Sequence, residues 1–133
     1  MIIVIMISQK SYYKLVDTGS MEVVVVGFVM TRSGGINNEY RSLQIDLSTG
    51  FYFNEDNARG KLTNDDLKIL NNVTDSDQFK TMDPKYVAQL PSINSYRYVI
   101  SAEEKKVGVT FDTSANYPRL IDPLVTIFER YSS

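Results

Sequence analysis

The sequence predicts a two-layer α+β domain: an antiparallel sheet of about four to six strands with two helices on one face, in the order β-β-β-α-β-β-α. Three observations point there. Several short runs alternate apolar and polar residues at the period of a half-buried strand. Two segments repeat apolar residues at spacings of three and four, the period of an amphipathic helix. Short turn-forming clusters join the alternating runs, which favours antiparallel neighbours over crossover connections.

The elements follow in chain order. Residues 22–32 (EVVVVGFVMTR) are dense in β-branched and aromatic side chains and end at Ser33-Gly34-Gly35, so they predict one central strand. Residues 40–47 alternate, with Leu43, Ile45 and Leu47 on one face and Ser42, Gln44 and Asp46 on the other. Ser48-Thr49-Gly50 turns the chain into Phe51-Tyr52-Phe53, giving a hairpin. Residues 54–61 are polar and turn-rich, a loop or a further short hairpin.

Thr63 then stands as an N-cap three residues before Asp66, with Leu62 and Leu67 flanking it, which predicts a helix over residues 64–73. Leu67, Leu70 and Val73 share its apolar face, and Asp65 and Asp66 suit the positive end of its dipole. Residues 74–92 carry the breakers Asp83-Pro84 and Leu90-Pro91 and read as an irregular connection with one helical turn near residues 85–90. Residues 95–102 and 106–111 alternate on either side of Glu103-Glu104-Lys105, a second hairpin. Leu120, Leu124, Ile127, Phe128 and Tyr131 mark a final amphipathic helix, with Pro118 and Pro123 near its start, where a missing N–H costs little. Both helices are expected on the sheet face that carries Leu43, Ile45, Tyr98 and Val109.

Residues 1–20 begin with the apolar run MIIVIMI, too short for a membrane span and lacking the basic start of a signal peptide. They read either as an edge strand or as an extension ahead of a start at Met21, leaving residues 21–133 as a single domain. The expected compartment is the cytoplasm.

Composition limits the chemistry. The 133 residues contain no His and no Cys, which excludes a thiol nucleophile, an imidazole base, a Ser-His-Asp triad, a disulfide and the usual zinc ligand sets. Fourteen Lys and Arg against sixteen Asp and Glu give a net charge of −2 with no basic stripe, so neither nucleic acid nor a membrane surface is the expected partner. Asp75-Ser76-Asp77 lacks the glycine and the closing Glu of a calcium loop and reads as a polar loop after a helix. No cofactor and no metal are expected. Ser33-Gly34-Gly35 follows a strand but leads into another strand, so no helix terminus faces a phosphate there.

The combination of Thr31-Arg32-Ser33-Gly34-Gly35, the helix opening Leu62-Thr63-Asn64-Asp65-Asp66-Leu67, Phe79, Tyr96-Arg97-Tyr98-Val99-Ile100, Val107 to Asp112 and Pro118-Arg119-Leu120-Ile121-Asp122-Pro123-Leu124 resembles the emfourin family over residues 22–131. That family is typified by a protein inhibitor of a thermolysin-like metallopeptidase. The resemblance implies a non-catalytic inhibitor that occupies a peptidase cleft, so the expected partner is a protein, a peptidase. The alternative is a small adaptor, or a defence- or virus-associated interaction protein, that binds a non-peptidase partner. The partner-binding candidates are Ser33, Gly34, Gly35, Ile36, Asn37 and Asn38 in the first turn, with Thr113, Ser114 and Asn116 ahead of the last helix. The tip Ile36-Asn37-Asn38 departs from the small or glycine-rich turn usual in the family, and Asn still accommodates a positive φ.

Overall fold

The computed structural model describes residues 4–6, 11–15, 21–25, 27–102 and 105–132, with side chains described for residues 27–102 and 108–132. Ten strands and three helices follow in order: β1 (Val4–Met6), β2 (Ser11–Leu15), β3 (Met21–Val25), β4 (Phe28–Gly34), β5 (Glu39–Ile45), β6 (Phe51–Asn54), β7 (Arg59–Lys61), α1 (Asn64–Thr74), α2 (Asp77–Lys80), β8 (Lys85–Tyr86), β9 (Tyr96–Ala102), β10 (Lys105–Asp112) and α3 (Asp122–Tyr131). A single 3-10 turn, Arg119–Ile121, leads into α3.

The α+β class holds, with a larger sheet than expected. Seven strands pair in the order β7-β6-β5-β4-β9-β10-β8. Six form an antiparallel run, and β8 joins β10 in parallel through Lys85 and Tyr86 beside Thr110 and Phe111. A separate antiparallel sheet has the order β1-β2-β3.

Residues 22–32 are therefore two strands and not one. Met21–Val25 pairs with β2, whereas Phe28–Gly34 lies between β5 and β9. An unbroken apolar run specifies extended backbone but not where it changes partners, and Gly27 stands at the change. Residues 85–90 are not helical either. Helical structure appears earlier, at α2, where the Ser76 hydroxyl accepts from the Phe79 amide and Phe79 is fully buried. The polar loop read at Asp75-Ser76-Asp77 is this cap. Residues 54–61 form the short hairpin, with Phe51 opposite Lys61 and Phe53 opposite Arg59.

Alternation decides the two faces of the large sheet. Phe28 and Met30 of β4 pair with Ile45 and Leu43 of β5 and with Ala102 and Ile100 of β9. All six point to the core, where Leu70 and Val73 of α1 and Leu124, Ile127 and Phe128 of α3 join them in one cluster. Each such side chain removed from water contributes about 1.5–3 kcal/mol. Tyr98 stacks on Phe111 of the neighbouring strand and meets the edge of Phe128 from α3.

Polar ties fix α3 against the rest, among them the buried Asn54 side chain of β6, which donates to the Tyr131 carbonyl at 3.1 Å. At the start of α1 the Thr63 hydroxyl accepts from the Asp66 amide, and the Asp66 side chain turns inward. There it accepts from Arg130 at 2.5 Å and from the Tyr131 hydroxyl at 2.5 Å. Burial alone would raise the Asp66 carboxyl, but Arg130, Tyr131 and Thr63 outweigh it and hold the carboxyl below its usual range. A further tie is the buried Arg32 of β4, which donates to Glu129 of α3.

Asp66 yields a pH prediction. Its lowered folded-state pKa adds stability that is full above the ordinary aspartate range and is lost as pH falls through the folded value. Asp66→Asn should cost about 1–3 kcal/mol in urea unfolding at pH 7. The two proteins should converge in stability once pH falls below the folded-state value of Asp66.

Candidate functional site

The sequence-predicted loops lie far apart in the chain, yet the sheet brings them to one end. Residues 35–38 close the β4–β5 turn, with the Asn38 amide donating to the Gly35 carbonyl at 3.1 Å. Gly34, Gly35 and Asn38 take φ of 105°, 75° and 49°. Asn38 thus holds the left-handed position that its short polar side chain tolerates. Residues 113–116 leave the end of β10, two strands away in the sheet order.

Tyr96, the first residue of β9, joins them. Its amide donates to the Thr113 hydroxyl at 2.9 Å, and its carbonyl accepts from the Thr113 amide at 2.9 Å. On the other flank Gly34 pairs with Tyr96, and the Gly35 amide donates to the Ser95 carbonyl at 3.0 Å. The Tyr96 ring lies under Gly35, so close that a Cβ there would meet its Cε1 at 2.5 Å. Gly35 is therefore required twice, by its positive φ and by the ring beneath it.

The ring is in turn held by Arg32, whose guanidinium carbon sits 4.2 Å from the ring centroid. That geometry is a cation–π contact. Arg32 is buried on the core face and donates to Glu129 of α3 at 2.5 Å, with Glu39 at the foot of the turn 3.6 Å away. The Tyr98 hydroxyl donates to the same Glu129 oxygen, and burial first, then that carboxylate, push its pKa up to about 12. It stays a donor at neutral pH.

Of the predicted residues, Ser33, Ile36, Asn37, Asn38, Thr113, Ser114 and Asn116 are exposed, and Gly34 and Gly35 are half-buried. Ile36 at the tip is 73% exposed. Reading the sequence alone missed a third loop in the same place. Residues 92–95 form a turn closed by the Ser95 amide on the Ser92 carbonyl, directly beside Gly35. Leu90 in the approach to it and Ile93 within it are 92% and 81% exposed. The available signal was the pair of aliphatics beside Pro91 in an uncharged stretch, which by itself reads only as a connection.

The chemistry at this end is sparse. An open depression of about 390 Å³ is lined by Tyr86, Asn116, Tyr117, Pro118 and Arg119, a lining without a carboxylate. Asp112 is buried nearby and bonded to Arg97 at 3.0 Å. Among the described residues no cluster of three or more acidic side chains could hold a metal ion. No helix among them is long and apolar enough to cross a membrane. No protein-family model matches this sequence, and neither curated proteins nor solved structures give a match.

The Tyr96 seat makes the turn testable. Gly35→Val should cost about 1–3 kcal/mol through the forced positive φ and the ring clash. In a Tyr96→Ala background the same change should cost measurably less, leaving a coupling term in a double-mutant cycle of chemical unfolding.

Proposed function

We propose that this chain is a non-catalytic protein-binding domain that inhibits a thermolysin-like metallopeptidase by filling its active-site cleft, with the cytoplasm as its compartment. The observation that carries the reading is the fusion of the two predicted loops into one surface across Tyr96. A cleft blocker must present ordered loops, because any ordering left until binding subtracts from affinity. Here the order is supplied in advance by backbone hydrogen bonds, by left-handed residues in the turn and by the Arg32–Tyr96 stack. The residue types present add to it, since a blocker needs shape and no acid–base group. The resemblance in sequence supplies the target class.

The direct experiment is an activity assay of a thermolysin-like metallopeptidase with micromolar protein. Inhibition is expected, and Ile36→Asp should weaken it by about tenfold while leaving the melting temperature unchanged, the size of a typical interface anchor. Absence of both complex and inhibition would refute the proposal. A stable complex without inhibition would instead favour the adaptor reading.

A further inference from the structure

The two sheets end in different ways. The seven-stranded sheet closes on one side with β7, three residues in which exposed Arg59 and Lys61 flank Gly60, and on the other with β8, two residues long. Beyond β8 the edge of β10 is interrupted by a register shift between Lys105 and Val109. Short edge strands, cations and bulges are the devices that stop a sheet from pairing with a further chain.

The three-stranded sheet lacks them along one side. β2 is its central strand, so β1 and β3 each have a ladder partner on one side alone. β1 covers three residues. β3 covers five, Met21-Glu22-Val23-Val24-Val25, with no Pro, Gly or Lys among them. Its second side therefore presents a row of backbone N–H and C=O groups that has no strand beside it among the described residues.

The order of residues in β3 selects what pairs there. We propose that β3 joins β3 of a second copy, antiparallel across a two-fold axis at Val23, so that the two small sheets become one sheet of six strands. In that register Val23 faces Val23, Met21 faces Val25 and Glu22 faces Val24, and no like charges stand opposite one another. Three consecutive valines suit the pleated ladder. Glu22 keeps Lys14 of β2 as its cross-strand neighbour within its own copy. A parallel, in-register stack would instead set Glu22 against Glu22, which counts against an open fibre. The two-fold arrangement closes after two copies. β1 offers a shorter ladder than β3, and hence fewer hydrogen bonds. The pairing uses the segment ahead of the Phe28 end of β4, whereas the Tyr96 loops lie at the Gly34 end, so the inference stands apart from the inhibitor reading.

Sedimentation equilibrium of the full chain from about 1 µM to about 1 mM, the span open to a small interface, tests it. A reversible dimer is expected. Val23→Lys puts two lysines opposite each other at the axis and should raise the dissociation constant by about tenfold or more. An equimolar mixture of Val23→Lys and Val23→Glu should restore association, because position 23 faces position 23. Val24→Lys meets Glu22 of the second copy and should leave the dimer intact or tighten it. A wild-type monomer throughout the range would overturn the inference. So would a mixture that associates no better than either variant alone, or a dimer indifferent to Val23→Lys. Weakening by Val24→Lys as large as that by Val23→Lys would overturn the antiparallel register and the proposal with it.

Discussion

The burial of Arg32 is the constraint on which the upper part of this molecule depends. β4 places Phe28, Met30 and Arg32 in succession on the core face, so the sheet drives a guanidinium into the layer that the helices cover. A buried cation without a partner would be prohibitive, and each of its contacts is a structural tie. Glu129 brings α3 to the sheet, Glu39 brings the outgoing strand of the turn, and the Tyr96 ring brings the start of β9. Glu129 keeps 42% of its side chain exposed, so the pair itself adds little net stability, whereas removing Glu129 takes a charge-assisted hydrogen bond from the buried guanidinium and should cost about 1–3 kcal/mol. Its value is in specifying one arrangement of strand, turn and helix.

From this tie the loop end of the sheet follows in steps. The stacked Tyr96 ring fills the space where a side chain at residue 35 would lie, so the turn closes only with glycine there. The Tyr96 backbone, fixed by the same stack, holds Thr113 on its other flank. Core packing at Tyr98, Phe111 and Phe128 lies directly behind. The loops are thereby attached to strands that are packed into the core.

Local signals in the sequence were sufficient where the cause of the structure is local. Thr63 and Asp66 mark the start of α1 correctly because a cap is a contact between near neighbours. The alternation in β5, β9 and β10 identifies the core face through Leu43, Ile45, Tyr98 and Val109. Long-range choices were not legible. The burial of Arg32 has no local signal, because its partner Glu129 lies 97 positions later. The parallel pairing of Lys85 and Tyr86 with β10 has no signature in a two-residue strand. Four residues are too few for α2 to show a helical period. The same division holds for the site: each turn is recognisable from Gly34, Gly35 or Thr113, but only the sheet order places them on either side of Tyr96, and the exposure of Leu90 and Ile93 is a property of the folded surface.

The central claim is that the end of the sheet around Tyr96 is where this protein meets its partner. Hydrogen–deuterium exchange of the full chain, free and with a thermolysin-like metallopeptidase, tests it most directly. The account predicts new protection confined to the amides of residues 35–38, 89–95 and 113–116. Protection instead on α1, on the β6–β7 hairpin or nowhere in the chain would contradict it.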